Sequence, residues 1–244
     1  MLFKSLVLSS CLALSLSVFA ADSVASSFSS EQKQEIEKIV HDYLMNNPQI
    51  LVEVAKTLEQ QQKEAARLQF DATVKEIIAN KNLPRRGGGA NPKHYLIEFF
   101  DYNCGYCKKI RPLTEKLAQE HPELQVIYIE FPILSPTSIQ ATTIAEALFI
   151  KDKEQYFAYH DKLMAETKKI DSLDYIKNAV KEVGADFDEL SVLAKEKDVG
   201  SLIAENFKYG KIFGVTGVPF MLLDGKEIRG AISSYEALEG MLNK

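Results

Sequence analysis

Two cysteines separated by two residues stand directly after an apolar segment of the chain. Residues 95–100 (YLIEFF) are apolar except for one acid and predict a buried strand. Cys104 and Cys107 follow at the start of a helix that is expected to run to about residue 119. Residues 125–131 (QVIYIEF) predict a second strand. Strand, helix and strand at this spacing predict a βαβ unit with two parallel strands.

The rest of this half of the chain adds helices and a hairpin. Residues 138–213 predict several helices in succession. A hairpin follows, with its turn at the dipeptide Asp224-Gly225, and a last helix closes the chain. We therefore predict an α/β fold over residues 93–244: a small mixed sheet with helices on both faces and a helical insertion at about 138–213.

The first twenty residues have the features of a secretory signal peptide. Lys4 gives a positively charged start, residues 6–19 form an apolar run interrupted only by serines, and residues 18–20 (VFA) suit signal peptidase. The run is too short to span a membrane. The alternative is a lipoprotein signal, in which the box LSSC places an acylated lipid on Cys11. We expect cleavage after residue 20 and export.

Composition and charge limit the classes of function. The chain has 244 residues, of which 46% are hydrophobic and 26% charged, as in ordinary globular proteins. A net charge of −5 argues against nucleic acid or anionic lipid as the main partner. Cleavage of the signal leaves only Cys104 and Cys107. In an oxidising compartment such a pair is either a redox pair or half of a metal site.

Residues 21–83 predict a helical segment for self-association. After a small polar lead, Ser29 and Gln32 form a capping box that begins one helix, and a second helix runs to about residue 79. Apolar residues of the second helix recur in a heptad pattern: Leu51, Val54, Leu58 and Leu68. A helix of this length needs a partner for its apolar stripe. Packing on its own domain is the alternative, but its length and its polar middle favour self-association.

Residues 84–92 (PRRGGGANP) contain three consecutive glycines between two prolines. Such a segment is expected to hold no regular structure. We therefore place a flexible linker here, between the helical segment of residues 21–83 and the α/β domain of residues 93–244. A chain that begins near Asn91 is accordingly expected to be a folded monomer.

Cys104 stands where a helix N-terminus makes a thiol reactive. The free N–H groups and the helix dipole lower a thiol pKa into the range of about 3.5–7.5, and Lys108 and Lys109 add positive charge. Cys107, one turn further, is expected to lie inward and to keep its proton. The alternative is half of a zinc or copper site, but the four histidines are single and scattered. We expect a redox-active disulfide and no metal or other cofactor.

Two further residues indicate the same chemistry. Glu98, six residues before Cys104, is expected to lie in an apolar interior, where a carboxyl keeps its proton longer and exchanges one with a nearby thiol. A solvated edge position is the alternative for Glu98. Pro219 opens the apolar strand that follows residues 215–218 (VTGV). A proline lacks the N–H of the strand ladder, so it fits a strand end or a special turn.

Two sequence segments resemble a known family. Residues 99–109 (FFDYNCGYCKK) resemble the active site of periplasmic DsbA-family thiol–disulfide oxidoreductases, which have a thioredoxin fold with a helical insertion. Residues 41–54 (HDYLMNNPQILVEV) resemble the oligomeric members with an added N-terminal helical segment, the ScsC proteins and the 27-kDa outer-membrane immunogenic proteins. The resemblance implies these roles: nucleophile Cys104, resolving thiol Cys107, buried acid Glu98 and cis-proline Pro219.

Two details of the site bear on whether this chain resembles an oxidase or an isomerase. The dipeptide Gly105-Tyr106 matches that of DsbC, the dimeric isomerase, whereas Val218 before Pro219 is the DsbA choice. The resemblance also implies that Gly105, Tyr106 and Val218 contact the substrate. We interpret the combination as an enzyme that both forms and isomerises disulfide bonds.

The resemblance further implies partners and a location. The substrates would be unfolded or misoxidised exported proteins, and a membrane redox partner would recycle the enzyme. Residues 31–80 would form a homo-oligomer, a dimer or a trimer. The location would be the periplasm, with association with the outer membrane left open, and no nucleic acid is expected as a partner. The alternatives are a dedicated disulfide oxidase, a periplasmic chaperone and a copper-binding protein.

Overall fold

The computed structural model describes residues 28–228, 232 and 234–242, so the predicted signal peptide over residues 1–20, with Cys11, lies outside the described residues. The helices are α1 (Ser30–Asn46), α2 (Gln49–Ala79), α3 (Gly105–Glu120), α4 (Pro136–Lys151), α5 (Lys153–Ala165), α6 (Leu173–Glu182), α7 (Phe187–Leu193), α8 (Lys197–Phe213) and α9 (Tyr235–Leu242). The strands are β1 (Arg85–Gly87), β2 (His94–Phe100), β3 (Leu124–Glu130), β4 (Phe220–Leu223) and β5 (Lys226–Ile228). In this part of the chain, none of the helices has the length and apolar character needed to cross a membrane.

The chain divides into two units between Gln60 and Gln61, and the first contains α1 and the first part of α2. The predicted capping box begins α1: the N–H of Gln32 donates to Oγ of Ser29 at 3.3 Å, and the N–H of Ser29 donates to Oε1 of Gln32 at 2.9 Å. No residue of α1 is buried. The apolar side chains of this unit are largely exposed: Ile36, Ile39, Val40, Tyr43, Leu51, Val54 and Leu58. Exposed apolar surface of this extent is typical of an interaction site.

The C-terminal part of α2 belongs to the second unit, where it covers one face of the sheet. Val74, Ile77 and Leu83 are buried in the same cluster as Ile97 of β2. The predicted domain boundary at residues 84–92 is therefore wrong. The apolar positions in the last turns of α2 pack on the sheet, because burying them there removes apolar surface from water.

The segment predicted as a flexible linker, residues 84–92, contributes β1 instead. This strand pairs antiparallel with β3, with Arg85 opposite Ile127. Gly87 has a φ of 73°, and a Cβ at this position would lie 2.5 Å from the carbonyl oxygen of Leu124. The linker prediction is wrong because this glycine provides a left-handed backbone and a close approach that other residues do not tolerate.

Among the described residues the sheet has five strands, in the order β1-β3-β2-β4-β5. β2 and β3 are parallel, as the βαβ spacing predicts, and β4 runs antiparallel to β2. Side chains alternate along β2: Ile97 and Phe99 lie in the cluster that α2 covers, whereas Leu96 and Phe100 lie in the cluster that contains both cysteines. Glu98, between Ile97 and Phe99, therefore lies on the cysteine side of the sheet.

The predicted helical insertion occupies the chain between β3 and β4 as α4 to α8. The first helices of the insertion pack on the cysteine side, and the C-terminal half of α8 reaches the opposite side. There a Cβ at Gly210 would lie 2.4 Å from Cε2 of Phe131, so a glycine allows the helix to approach the end of β3. The predicted hairpin across Asp224-Gly225 is confirmed as the pair β4 and β5.

Candidate active site

Cys104 caps the N-terminus of α3, and its sulfur accepts a hydrogen bond there. The residue has an extended backbone (φ −79°, ψ 107°), and the N–H of Cys107 donates to its Sγ at 3.1 Å. The N–H of Cys104 donates to the carbonyl of Asp101 at 2.9 Å. A sulfur at this position meets the free N–H groups and the positive end of the helix dipole. The position agrees with the sequence prediction.

The surroundings of Cys104 lower the pKa of its thiol to about 7. The largest cause is a hydrogen bond from the thiol of Cys107, and the backbone N–H groups of Cys107 and Tyr106 act in the same direction. Burial and the negative charge of Asp101 oppose them. Near neutral pH a large fraction of Cys104 is therefore thiolate, which is the nucleophilic form.

Cys107 lies inward of Cys104 and has 0% of its surface exposed. Burial raises the pKa of the Cys107 thiol far above its ordinary value, and the hydrogen bond and negative charge of Cys104 add to this effect. Both residues are free thiols in this structure. The pair thus consists of one sulfur that ionises readily and one that keeps its proton until a base removes it.

Glu98 is a buried acid in the strand that leads to the cysteine loop. It is 2% exposed, and its neighbours on the adjacent strands are Tyr128 and Met221. Burial is the largest cause that raises its pKa to about 8; the negative charge of Cys104 adds to it and Arg111 opposes it. No hydrogen bond from a described residue holds the carboxyl. A carboxyl that titrates near neutral pH is suited to exchange a proton with a buried thiol.

The loop before β4 brings Val218 and Pro219 to Cys104. The thiol of Cys104 donates to the carbonyl oxygen of Val218 at 3.4 Å, although the two residues are 114 positions apart. The peptide bond between Val218 and Pro219 is cis, as the family resemblance implies. Phe220 begins β4 opposite Phe99 of β2, so the register of the sheet fixes the loop against the cysteines.

The two residues between the cysteines lie at the surface. Tyr106 is 68% exposed, and a Cβ at Gly105 would have no neighbouring atom within 4 Å. Nζ of Lys109 lies 5.3 Å from the centre of the Tyr106 ring. The surface beside the first cysteine is therefore exposed, whereas Cys104 itself is only 4% exposed. Substrate contact by Gly105, Tyr106 and Val218 stays a prediction.

Sequence reasoning missed Asp101, which fixes the cysteine loop. Its buried carboxylate accepts hydrogen bonds from the N–H groups of Ile133 and Leu134 at 2.9 Å and from the hydroxyl of Ser138 at 2.7 Å. It also accepts the N–H of Asn103 at 2.7 Å. The available signal was an Asp two residues before an Asn in a turn, since both types satisfy free N–H groups there.

Asn103 connects the same loop to the helical insertion. Its side-chain amide donates to Oγ of Ser135 at 2.9 Å, to Oγ1 of Thr137 at 3.1 Å and to the carbonyl of Ile170 at 3.1 Å. Its Oδ1 accepts the N–H of Ile170 at 2.7 Å. The insertion therefore holds the loop that carries the cysteines, and no local sequence pattern identifies these partners.

A second buried acid, Glu130 at the end of β3, was also missed. It accepts hydrogen bonds from the hydroxyls of Tyr102 at 2.6 Å, Thr142 at 2.7 Å and Tyr156 at 3.2 Å. Burial raises the pKa of Glu130 well above its ordinary value. Tyr102 precedes Cys104 by two positions, so this network supports the loop from the interior. The signal was visible as an acid within the apolar run QVIYIEF.

Metal binding was the alternative interpretation of the cysteine pair. In the described part of the chain, no three His, Cys, Asp or Glu side chains are grouped so that they could hold a metal ion. That the redox pair works without a metal or other cofactor stays a prediction.

The chain matches two family profiles. Residues 95–243 match the DSBA-like thioredoxin domain, and residues 32–65 match the copper resistance protein ScsC N-terminal domain. No match was found among curated protein sequences. The first match covers more than half of the chain and includes both cysteines, Glu98 and Pro219.

Solved structures show the same relationship. ScsC of Proteus mirabilis in a transitional conformation is 25% identical, over 89% of this chain and 96% of that one, with a TM-score of 0.63. A periplasmic thioredoxin-like protein from Salmonella enterica serovar Typhimurium is 30% identical, over 68% of this chain and 91% of that one, with a TM-score of 0.61. The thiol-disulfide exchange protein alpha-DsbA2 from Wolbachia pipientis shares the fold at 24% identity, over 75% of this chain and 97% of that one, with a TM-score of 0.64.

These matches confirm the predicted thioredoxin fold with its helical insertion and its N-terminal helical segment. They also agree with the geometry at Cys104 and Cys107, where the pKa of the first thiol is lowered to about 7 and the pKa of the second is raised by burial. The chain therefore belongs to the DsbA-like thioredoxin-domain family of thiol–disulfide oxidoreductases, with a ScsC-type N-terminal domain ahead of the catalytic domain.

Proposed function

We propose that this protein is an exported oxidoreductase that forms and isomerises disulfide bonds in client proteins through Cys104 and Cys107. The observation that carries the proposal is the unequal pair of thiols. Cys104, at the start of α3, has a pKa lowered to about 7, whereas burial raises that of Cys107. A sulfur with a lowered pKa attacks and leaves readily, and a partner thiol that keeps its proton resolves the mixed disulfide. Cys104 itself is only 4% exposed, so a client must approach it through the exposed surface at Gly105 and Tyr106.

Disulfide formation proceeds by two exchanges. A client thiolate attacks Sγ of Cys104 in the oxidised enzyme, and Cys107 leaves as a thiolate that takes a proton. A second client thiolate then attacks the client sulfur of the mixed disulfide, and Cys104 leaves as a thiolate. The client loses two electrons and two protons, and the enzyme gains them. The lowered pKa of Cys104 makes it a good leaving group in the second exchange.

Isomerisation begins from the reduced enzyme. The Cys104 thiolate attacks a wrong client disulfide, which forms a mixed disulfide and releases a client thiolate. That thiolate attacks another client sulfur, and a client thiolate finally displaces Cys104. No net electrons pass. The step requires that the client stays near the site, which is helped by the open surface at Gly105 and Tyr106.

The proposed oligomer uses the N-terminal segment, within residues 31–80. The exposed apolar side chains of α1 and of the first part of α2 support self-association, and so does the match to the ScsC N-terminal domain. A dimer or trimer places several active sites around one client and raises the local concentration of thiols. The proposed clients are unfolded or misoxidised proteins of the periplasm, and a membrane redox partner would reoxidise or reduce the pair.

Two assays test the proposal on the full chain. Refolding of scrambled ribonuclease measures isomerisation, and oxidation of a dithiol peptide measures oxidase activity; both should be lost in Cys104→Ala. Light scattering gives the oligomeric state. Activity that persists in Cys104→Ala would contradict the proposal. Absence of exchange together with one tightly held Cu(I) per chain would favour the alternative of a copper-binding protein.

A further inference from the structure

A cluster of four charged side chains lies one helical turn beyond Cys107. Arg111, four residues after Cys107 in α3, contacts Oε1 of Glu115 at 2.6 Å and Oδ1 of Asp161 at 2.9 Å. Arg86 of β1 donates to both carboxylate oxygens of Asp161 at 2.7 Å. The side chain of Arg111 is only 15% exposed. Two cations and two anions thus hold one another in a fixed arrangement that is partly shielded from solvent.

α3, which carries Arg111, packs on the cysteine side of the sheet, where the buried acid Glu98 also lies. Its Nε is buried without a hydrogen-bond partner, which is true of only three side-chain polar atoms in the described part of the chain. The carboxyl of Glu98 is likewise not held by a hydrogen bond from a described residue. The positive charge of Arg111 lowers the pKa of Glu98, and the negative charge of Glu115 raises it. The positive charge of Arg111 and the negative charge of Glu115 therefore shift the pKa of the same carboxyl in opposite directions.

We propose that Arg111 is a positioning residue that controls proton exchange between Glu98 and Cys107. The inference rests on the thiol–disulfide exchange proposed above. The guanidinium acts through Glu98, because a nearby positive charge favours the carboxylate, which is the form that accepts a proton. Glu115 holds Arg111 in place and at the same time disfavours that carboxylate.

The step that depends on this exchange is the release of a reduced client. Cys107 gives its thiol proton to the Glu98 carboxylate, and the resulting thiolate attacks Sγ of Cys104 in the mixed disulfide. The Cys104–Cys107 bond forms, the bond to the client breaks, and the client leaves as a thiolate that takes a proton from water. Two electrons pass from the enzyme to the client. In the reduced protein, where the pKa of Glu98 is about 8, roughly one tenth of Glu98 is carboxylate at pH 7. In the mixed disulfide Cys104 carries no negative charge, so this cause of the raised pKa is absent.

Other titratable and charged groups also face this acid or lie next to it. They are Cys104 at the N-cap of α3, Cys107, Arg111 and Glu115 of α3, and Tyr128 of β3, together with Arg86, His160 and Asp161, which lie around Tyr128. Burial raises the pKa of Tyr128 and lowers that of His160 to about 3, so neither changes charge near neutral pH. Of the groups around Glu98 with a shifted pKa, Cys104 and Glu98 itself change charge between about pH 6 and pH 9, and every variant below retains both cysteines.

The test compares the full chain with its Arg111→Gln, Arg111→Lys and Glu115→Gln variants. Each reduced protein is mixed with glutathione disulfide at pH values from 5.5 to 9 and quenched in acid, and mass spectrometry follows the decay of the Cys104–glutathione adduct. The rate at which Cys107 resolves the adduct should increase with pH as Glu98 ionises. We expect the midpoint of this pH dependence to rise by about half a pH unit or more in Arg111→Gln, so that resolution at pH 7 is about threefold slower than in the unmodified protein. It should fall in Glu115→Gln and stay near the original value in Arg111→Lys.

A second measurement does not depend on turnover. Infrared titration follows the carboxyl band that disappears in Glu98→Gln, and its midpoint should move in the same two directions. Shifts of equal sign in Arg111→Gln and Glu115→Gln, or none in either, would overturn the inference. If Arg111→Gln does not fold, the direction of the midpoint shift in Glu115→Gln decides the inference, with Arg111→Lys as the control that is expected to stay near the original midpoint. Failure of the unmodified chain to form the adduct would overturn the proposed function, while the infrared titration still decides the role of Arg111.

Discussion

The carbonyl oxygen of Val218 lies 3.4 Å from Sγ of Cys104, although 114 residues separate the two in the chain. The contact places the loop before β4 beside the sulfur that a client must reach. The site is thus assembled from the first helix after β2 and the loop that leads back into the sheet at Phe220. We expect a client that reaches Cys104 to contact the backbone of this loop and the exposed ring of Tyr106.

Cys107→Ala is expected to change both the acidity of Cys104 and the fate of clients. Loss of the Cys107 thiol removes the largest cause that lowers the pKa of Cys104, so the thiol should titrate above about 7. Without a resolving thiol, mixed disulfides with clients should accumulate. The pH dependence of alkylation by iodoacetamide measures the first effect, and non-reducing gels with mass spectrometry measure the second.

Cys104→Ala is the matched control, because Cys107 is buried and its pKa is raised. It should be alkylated slowly at neutral pH and trap few clients. Equal trapping by the two variants, or trapping by Cys104→Ala alone, would reverse the assigned roles.

Glu98→Gln is expected to alter how folding stability depends on pH. The folded pKa of Glu98 is about 8 and the unfolded value is about 4.3, so the native state holds a proton that the unfolded state releases. The corresponding stability is complete below about pH 4.3 and is lost as pH rises through about 8. The unmodified protein should therefore lose on the order of 3 to 5 kcal/mol relative to Glu98→Gln over this range. Urea unfolding at several pH values measures the difference.

Cys104 titrates in both proteins, and its negative charge is one cause of the raised pKa of Glu98, so the difference includes this coupling between the two groups. A constant difference in unfolding free energy between pH 4.5 and pH 8 would show that Glu98 is not a protonated, buried acid in the folded protein. The same variant should slow the release of reduced clients near neutral pH, because glutamine accepts no proton from Cys107.

The chemistry-bearing residues were visible in the sequence because each stands in a local pattern. An acid in an apolar run indicates Glu98, and a pair of cysteines at the start of a helix indicates Cys104 and Cys107. The period of two along β2 then places Glu98 on the cysteine side. Strand pairing was predictable for the same reason, since a βαβ spacing allows few arrangements.

The partners that hold these residues were not visible, because they are distant in the chain. Asn103 bonds with Ile170, and Arg111 with Asp161, across 67 and 50 residues respectively. The run of glycines at residues 87–89 was misinterpreted as flexible for a different reason. Glycine fits both a disordered linker and a crowded left-handed turn, and only the neighbouring atom, the carbonyl of Leu124, distinguishes the two.

Two glycines in α8 are expected to respond oppositely to alanine. A Cβ at Gly210 would lie 2.4 Å from Cε2 of Phe131, so Gly210→Ala should overpack the core and destabilise the fold by about 1 to 3 kcal/mol. Gly200, in the same helix, has no atom within 4 Å of such a Cβ. Gly200→Ala should stabilise the protein by up to about 1 kcal/mol through helix propensity. Thermal unfolding of both variants compares them, and equal shifts would contradict the close approach at Phe131.

A chain that begins at Asn91 is no longer expected to be a folded monomer. It lacks β1 and the end of α2, and therefore Val74, Ile77 and Leu83, which are buried against the sheet. Their loss exposes apolar surface of the sheet to water, which costs about 25 cal/mol of folding free energy per Å². We expect this chain to aggregate or to unfold at lower temperature than one that begins at Gln61, as circular dichroism and calorimetry would show. Equal stability of the two chains would mean that the buried side chains of α2 contribute little.

A chain that begins at Gln61 should be a folded monomer that keeps thiol exchange and loses most isomerisation. It retains the second unit with its sheet and both cysteines, and it removes the exposed apolar side chains of α1 and of α2 before residue 61. Isomerisation needs repeated attack on a retained client, which neighbouring sites favour, whereas oxidation needs one encounter. Light scattering, insulin reduction and scrambled-ribonuclease refolding test these expectations together. Persistent oligomers would show that residues before Gln61 are not required for self-association. A monomer that isomerises as well as the full chain would show that self-association is not required for isomerisation.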